Sequence, residues 1–366
     1  MLTTPAGKPR ARAISIPFDG EPGPLNAITD VAGVEVGYRT IIRGAGKRVV
    51  GEGPVRTGVT AILPRGRSGA HRGVFAGMFS LNGNGELTGS HWVTETGRCD
   101  GPITITNTHS CGIARDATIK WLAKRFSSLD GWSLPVAGET FDGYLNDING
   151  FHVGEDDVFA ALDAAAGGAI EEGSVGGGTG MICYGFKGGS GTASRKARLA
   201  GASFVVGAFV QANFGRREQL VVAGTPVGRA LKDWRPDPRA GAEAGSVIAI
   251  LATDAPLLPH QLQRVARRVS LGIGRSGAIS GHGSGDIFLA FSTANGEALQ
   301  AGSEALAQAR FIPDAALDPL FAATIQAIDE AVINALIANE TMIGADDHVI
   351  HALPHAEVRR LLGLQA

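Results

Sequence analysis

Residues 239–252, RAGAEAGSVIAILA, join a loop of small residues to an apolar run that is typical of a buried β-strand. At the centre of this stretch lies the dipeptide Gly245-Ser246, so a serine occupies the first position of the strand behind a flexible glycine. Because glycine has no Cβ to block a strained backbone, the Ser246 hydroxyl can attack the Gly245 carbonyl in an N-to-O acyl shift. The dipeptide is therefore a candidate point at which the chain cuts itself.

Such a cleavage would give Ser246 two chemical functions. Its hydroxyl would be a nucleophile, and its new α-amine, which titrates near pH ~8, would be a general base. No histidine partner is then required. The alternative is that residues 233–245, DWRPDPRAGAEAG, form an ordinary surface loop or a linker between two domains. The two interpretations predict different chemistry for Ser246.

Length and charge limit the classes of function. The chain has 366 residues, enough for one large or two ordinary domains. A net charge of -2 and a charged fraction of 19% give no basic footprint for nucleic acid. The N-terminal segment lacks the apolar region of a secretory signal, and no apolar run approaches the ~18 residues that span a bilayer. We expect a cytoplasmic protein without a nucleic-acid or membrane partner.

Glycine, cysteine and histidine usage argues against a metal or a nucleotide cofactor. The 53 glycines, about double the usual ~7% share, are spread without a period and indicate many tight turns. The glycine-rich stretch 173–180 departs from both the dinucleotide and the phosphate-loop fingerprints. Three cysteines form no Cys-x-x-Cys pair, and nine histidines show no HExxH motif. No metal site or cofactor is predicted.

Hydrophobic patterning predicts an α+β fold, because short strands and longer helices occur without regular alternation. We predict a mainly antiparallel sheet system with helices outside stacked sheets. The predicted strands are 34–37, 58–63, 103–106, 204–211, 247–252 and 287–291. The predicted helices are 114–126, 156–166, 256–269 and 318–339.

Polar residues at the ends of these strands are candidates for a site. Ser284 and Asp286 stand two residues apart before a predicted strand, so an extended chain would point both side chains to one face. The alternative is a glycine turn closed by an Asx hydrogen bond. Asn213 ends an apolar run, where its amide either donates to an oxyanion or caps a turn.

Two further segments carry reactive groups. Residues 139–149, ETFDGYLNDIN, gather carboxylates that would recognise a substrate ammonium if they lie beside a cleft, and are otherwise solvated loop chemistry. Cys111 stands ahead of a predicted helix whose N-terminus would acidify its thiol, which makes it the second candidate nucleophile. A buried, inert cysteine is the alternative.

Taken in order, seven segments of the chain resemble the L-aminopeptidase/D-esterase family, which includes the β-peptidyl aminopeptidases. They are 26–37 (NAITDVAGVEVG), 82–89 (NGNGELTG), 139–153 (ETFDGYLNDINGFHV), 185–195 (GFKGGSGTASR), 210–215 (VQANFG), 245–257 and 281–288 (GHGSGDIF). The resemblance covers nearly the whole chain. It implies an αββα sandwich like that of the N-terminal-nucleophile hydrolases, formed by a single domain that cleaves into 1–245 and 246–366.

The resemblance also implies roles for individual residues. Ser246 would be the nucleophile and its freed α-amine the base. Ser284 and Asp286 would assist and orient that amine, while Asn213 and a backbone amide would hold the oxyanion. Better-studied relatives carry glutamate at the position of Asp286, so this chain has the shorter side chain.

Substrate and assembly follow from the same resemblance. Glu139 would bind the free amino group of the substrate, with Tyr144 of the same loop as a second substrate-binding residue. The substrates would be short peptides, amides or esters, from which one N-terminal residue is removed. Relatives assemble into symmetric tetramers, and we expect a tetramer of two-chain protomers.

Two other functions remain open on the sequence. An ornithine acetyltransferase-like protein resembles this group in fold and self-cleavage, although it usually exposes a threonine. An uncleaved, glycine-rich binding protein without enzymatic activity is the third hypothesis.

Overall fold

The computed structural model describes residues 1–126, 132–235, 245–300 and 306–364. Two β-sheets lie face to face, and helices cover their outer faces. The strands are β1 (Glu35–Arg43), β2 (Val55–Leu63), β3 (Val74–Gly83), β4 (Arg98–Cys99), β5 (Ile103–Asn107), β6 (Val136–Thr140), β7 (Ile182–Cys183), β8 (Phe186–Lys187), β9 (Gly189–Leu199), β10 (Ala202–Asn213), β11 (Ser246–Thr253), β12 (Gly285–Ser292), β13 (Met342–Ile343) and β14 (Val349–Ile350).

The predicted helices are present, with shifted ends. The α-helices are α1 (Ser90–Thr96), α2 (Cys111–Arg125), α3 (Glu155–Asp163), α4 (Val227–Ala230), α5 (Pro259–Arg275), α6 (Asp318–Ile337) and α7 (His355–Leu361). The helix expected at 256–269 begins later, because Pro259 occupies its first turn, where a missing N–H is tolerated.

Strand order confirms the mainly antiparallel α+β prediction. One sheet has the order β1-β2-β5-β6, and the larger sheet has the order β4-β3-β12-β11-β10-β9. Only β5 with β6 and β11 with β12 are parallel within these two sheets. Strand β11, which the sequence placed directly after Gly245, is therefore a central strand with β10 on one side and β12 on the other.

Three apolar layers establish the sandwich. Ile62, Ile103 and Leu289 belong to the core between the two sheets. A second core lies between the larger sheet and helices α5 and α6, and a third lies between the smaller sheet and helices α2 and α3. The layer order is helix, sheet, sheet, helix, which confirms the αββα prediction.

Two glycines show why the outer helices approach the larger sheet so closely. A Cβ on Gly191 of β9 would collide with the Ala331 carbonyl of α6, and one on Gly77 of β3 would collide with the backbone of α5 at Gln263. Glycine alone permits these contacts, since any side chain would push the helix away. Part of the glycine excess therefore serves helix packing rather than turns.

Helix α6 modifies the expectation that no segment is apolar enough to span a bilayer. By length and hydropathy it qualifies, although 78% of its most apolar window is buried inside the protein. Its apolar residues pack against β9 and β10, so the protein core accounts for its hydropathy.

The predicted connector 233–245 lies only partly within the described residues. Residues 236–244 lie outside the described residues, whereas Gly245 and Ser246 are described. The division into 1–245 and 246–366 stays a prediction.

Candidate active site

Ser246 is the first residue of β11, at the end of the larger sheet. It pairs with Asn213 on antiparallel β10 and with Gly285 on parallel β12. Strand side chains alternate between faces, so Ser246 shares the face of Ile248, which packs between the two sheets. The side chain of Ser246 is therefore directed toward the second sheet, and the residue is only 4% exposed.

The peptide bond before Ser246 is held by the neighbouring strand. The Gly245 carbonyl oxygen accepts a hydrogen bond from the Gly285 N–H at 3.1 Å. A Cβ at position 245 would lie 2.7 Å from the Asn213 carbonyl oxygen, so only glycine fits there. This arrangement polarises the carbonyl that Ser246 would attack.

Ser284 and Asp286 form a buried pair at the start of β12. The Ser284 hydroxyl donates to Asp286 Oδ1 at 2.7 Å, so the aspartate side chain is long enough to reach the serine. Both residues are 1% exposed. Asp286 is the register partner of Val247, which packs beneath the helices, so this pair and the Ser246 hydroxyl lie on opposite faces of one strand end.

Asn213 has a fixed amide orientation. Its Oδ1 accepts from the Ile182 N–H at 2.9 Å, and its Nδ2 donates to the Phe141 carbonyl at 3.0 Å. As the partner of Ser246 across the ladder, it projects from the same face, where Cβ atoms of opposed residues stand about 5 Å apart. The amide is held beside the serine without a choice of orientation.

Glu139 lies near the end of β6, in the smaller sheet. Its Oε1 accepts from the Glu86 N–H at 2.9 Å, and its Oε2 accepts from the Thr108 hydroxyl. Burial raises the pKa of the Glu139 carboxyl above its usual value, and these hydrogen bonds oppose that rise. A Cβ on Gly85 would lie 3.3 Å from Glu139 Oε1 and 3.4 Å from the Cα of Gly285. Only one glycine therefore separates the carboxylate from the strand beside Ser246.

Tyr144 lies in a different environment from the other predicted residues. Its ring stacks on His348 with centroids 4.1 Å apart, and it packs against Leu145, Ile182 and Ile350. These contacts belong to the β13–β14 side of the molecule. The structure thus brings Ser246, Asn213, Ser284, Asp286 and Glu139 to one region, and places the Tyr144 ring on His348, in an apolar cluster that includes the Ile182 side chain.

The prediction of Cys111 as an alternative, acidified nucleophile is wrong. It does begin helix α2, but it is 5% exposed, and its thiol donates to the Ala137 carbonyl at 3.3 Å. Burial raises the pKa of the Cys111 thiol to about 12, with the nearby Glu139 carboxylate as a second cause. The effect of desolvation on the thiol pKa exceeds that of the helix N-terminus, so the thiolate is disfavoured rather than stabilised.

Sequence reasoning missed the groups that hold these side chains. Thr108 donates to Glu139, and backbone amides of Glu86, Ile182 and Gly285 hold Glu139, Asn213 and the Gly245 carbonyl. Backbone donors leave no residue-type signal. The 82–89 segment, which supplies the Glu86 amide, carries part of the family resemblance but no predicted role. Within the described ranges, no group of three His, Cys, Asp or Glu side chains could hold a metal ion.

The model of Peptidase family S58 matches residues 26–350. The chain belongs to this family.

Individual relatives agree with the family. The chain is 50% identical to beta-peptidyl aminopeptidase BapA of Sphingosinicella microcystinivorans, over 97% of this chain and 92% of that protein. It is 45% identical to BapA of Sphingosinicella xenopeptidilytica, over 97% and 91%. Among solved structures, the L-aminopeptidase D-Ala-esterase/amidase of Ochrobactrum anthropi matches with a TM-score of 0.91 at 48% identity, covering 97% of this chain and 98% of that one. That structure is described as a variant of the Ntn hydrolase fold.

These findings decide between the hypotheses. The protein is an aminopeptidase, a hydrolase that acts on peptides. They favour neither the acetyltransferase-like alternative nor the non-enzymatic binding protein.

Proposed function

We propose that this protein is a self-processing serine aminopeptidase whose nucleophile is Ser246. The observation that carries the proposal is the pairing of Ser246 with Asn213 on one side and Gly285 on the other. The first partner supplies a side-chain amide donor, and the second supplies a backbone N–H that already binds the Gly245 carbonyl.

In the self-cleavage step, Ser246 Oγ attacks the Gly245 carbonyl carbon. The negative charge on the carbonyl oxygen is stabilised by the Gly285 N–H and by Asn213 Nδ2. The Gly245–Ser246 C–N bond breaks, the hydroxyl proton passes to the departing nitrogen, and an ester forms. Water hydrolyses that ester, leaving a carboxylate on Gly245 and a free α-amine on Ser246.

Turnover repeats this chemistry on a substrate. The Ser246 α-amine takes the proton from its own hydroxyl, which attacks the substrate carbonyl; the leaving amine or alcohol then takes that proton, and water resolves the acyl-enzyme. We assign to the buried pair Ser284–Asp286, whose side chains are joined by a hydrogen bond of 2.7 Å, the role of accepting from and orienting that α-amine. The substrate carbonyl occupies the position vacated by that of Gly245, so the same donors serve both reactions.

Glu139 is proposed to bind the substrate ammonium, which makes the enzyme an aminopeptidase. Short peptides, amides and esters with a free amino terminus are the expected substrates. The relatives named beta-peptidyl aminopeptidase support including β-residues at that terminus. The Tyr144 ring stacks on His348. A role for Tyr144 in substrate binding therefore stays a prediction.

A cytoplasmic homotetramer of two-chain protomers is the proposed assembled form. Leu81 and Ile279 are exposed by 39% and 68% and flank the Asn82–Gly281 hydrogen bond beside β12, so an apolar surface is available there for another protomer. Light scattering of the purified protein measures the assembly, and a monomer would contradict it.

The decisive experiment is mass spectrometry of freshly folded wild-type protein and of Ser246→Ala. We expect the wild type to yield a fragment that begins at Ser246, and the variant to remain intact and inactive. Ser292→Ala is the matched control, since this buried serine lies at the far end of β12 and donates to the Ala255 carbonyl. An uncleaved wild type, or an active Ser246→Ala protein, would overturn the mechanism.

A further inference from the structure

Lys187 is a fully buried lysine for which the proposed mechanism has no use. It ends β8, and its Nζ donates to the carbonyl oxygens of Met181 at 2.9 Å and Gly188 at 2.7 Å. Within the described part of the chain, no carboxylate lies within salt-bridge distance of this amine. Burial lowers the pKa of Lys187 well below its usual value. Burying an amine without a counter-charge is energetically unfavourable. The position of Lys187 in the core therefore calls for a functional explanation.

One peptide group links Lys187 to the proposed oxyanion site. The Met181 carbonyl accepts from Lys187 Nζ and, at 3.0 Å, from the Gly188 N–H, while the N–H of the same peptide, on Ile182, donates to Asn213 Oδ1 at 2.9 Å. Hydrogen bonds in such a chain polarise one another, because withdrawing density from the carbonyl makes the N–H a stronger donor. The lysine is thus two hydrogen bonds from the Asn213 amide.

One N–H of the Asn213 amide is the candidate donor to a substrate oxygen. Its Nδ2 donates once, to the Phe141 carbonyl, and among the described residues its second N–H has no protein acceptor. A donor to Oδ1 fixes the plane of the amide and strengthens its N–H groups. The position of the Met181–Ile182 peptide therefore sets where the second N–H points.

We propose that Lys187 is a positioning residue for the oxyanion donor: it anchors the Met181–Ile182 peptide, and through that peptide it orients and polarises Asn213. This inference rests on the proposed function, because it takes Asn213 as the donor to the oxyanion on the Ser246 adduct.

Asn339 provides a structural control in the same cluster. Its Nδ2 donates to the carbonyl oxygens of Gly188 at 2.8 Å and of Lys187 at 3.2 Å, so it also anchors the segment that follows β8. It makes no hydrogen bond to the Met181–Ile182 peptide among those of the described chain. Its link to that peptide runs through the Lys187–Gly188 peptide, whose N–H on Gly188 donates to the Met181 carbonyl at 3.0 Å. Removing Asn339 leaves both donors to the Met181 carbonyl, the Lys187 amine and the Gly188 N–H, in place.

The test is a double-variant cycle on the rate of self-cleavage. Wild type, Lys187→Met, Asn213→Ala and the double variant are synthesised in a cell-free system, and the appearance of the fragment that begins at Ser246 is followed after a pulse. We expect Lys187→Met to slow cleavage by about tenfold, and Asn213→Ala by about a hundredfold or more. Because both residues act through one amide, the double variant should be no slower than Asn213→Ala alone.

The same cycle with Asn339→Ala should give effects that multiply with those of Asn213→Ala. Thermal melting of the uncleaved proteins checks that each variant is folded; if Lys187→Met lacks the wild-type transition, Lys187→Gln replaces it in the cycle. Multiplying effects of Lys187 and Asn213, or a wild-type rate in the Lys187 variant, would overturn the positioning role. A wild type that never cleaves would instead refute the proposed function, so the two failures are distinguishable.

Discussion

Asn213 and Ser246 are direct partners across the β10–β11 ladder, with their side chains on the face between the two sheets. They are 33 residues apart in sequence. The Asn213 amide is clamped by Ile182 and Phe141, so it meets the serine with its donor group preset. Preorganised donors of this kind stabilise developing charge without reorganising during the reaction.

Replacing Asn213 with alanine should lower kcat on the order of a hundredfold or more, because it removes a preorganised donor to the oxyanion. KM should change little, since the amide interacts with charge that develops in the transition state. Steady-state kinetics on an amino-acid amide measures both constants. Gln211→Ala is the matched control, because Gln211 lies two residues earlier on the same face of β10 and donates to Thr106 and Thr140. This variant should affect stability but not kcat. A normal kcat in Asn213→Ala would exclude the amide from catalysis.

Replacing Asp286 with asparagine should move the acidic limb of the pH profile of kcat/KM to lower pH. A carboxylate beside the Ser246 α-amine favours the ammonium form, so its removal lowers the pKa of the amine and leaves more of the neutral base at acidic pH. The plateau rate should fall, because the amine loses an orienting partner. Ser284→Ala, which keeps the charge, should lower the plateau and shift the limb less. An unchanged limb in Asp286→Asn would contradict a carboxylate next to the base.

Replacing Glu139 with glutamine should raise KM by about tenfold or more, since a charge-assisted hydrogen bond to the substrate ammonium is lost. Self-cleavage should proceed at the wild-type rate, because the Gly245–Ser246 bond presents no ammonium group. Burial raises the Glu139 pKa, so the wild-type KM should also rise as the pH falls through that raised value, and the variant should lack this rise. Kinetics at several pH values, with cleavage checked by mass spectrometry, measure these effects. Slow self-cleavage in a folded Glu139→Gln protein would argue against a role limited to substrate.

Asp142 should make the protein less stable as the pH rises. Burial raises the pKa of its carboxyl to about 7, against hydrogen bonds such as the one from Asn146 at 3.0 Å. The native state holds this proton more tightly than the unfolded chain, whose aspartates titrate near ~3.9. The resulting stabilisation is complete below that value and is lost as the pH rises through about 7.

Urea unfolding of wild type and Asp142→Asn at several pH values tests this expectation. Between pH ~5 and pH ~8 the free energy of unfolding of the wild type should fall by about 2 to 3 kcal/mol relative to the variant, because one pKa unit corresponds to ~1.4 kcal/mol. Parallel pH curves for the two proteins would show that Asp142 does not titrate in this range.

Much of the fold was accessible from local sequence patterns. Continuous apolar runs at 247–252 and 287–291 predicted β11 and β12, and apolar residues at helical spacing predicted α2 and α3. The first and last residues of these helices and strands were harder to predict, because caps and prolines shift a boundary without changing the hydrophobic pattern. Pro259 at the start of α5 is an example. The acidified thiol considered for Cys111 was wrong and the buried, inert cysteine was confirmed, because the desolvation of this thiol depends on the Ala137 strand that packs over it.

Sequence alone determined the class of elements, the candidate nucleophile behind its glycine, and the resemblance that assigned roles to Asn213 and Asp286. Such information lies in short segments and motifs of the sequence, so it can be read without a structure. Only the tertiary structure decided that Glu139 of one sheet and Gly285, the ladder partner of Ser246 in the other, lie on either side of Gly85, and that Tyr144 stacks on His348. The reason is that distant residues meet through strand register and sheet packing, which the burial of a shared core imposes on the whole chain at once.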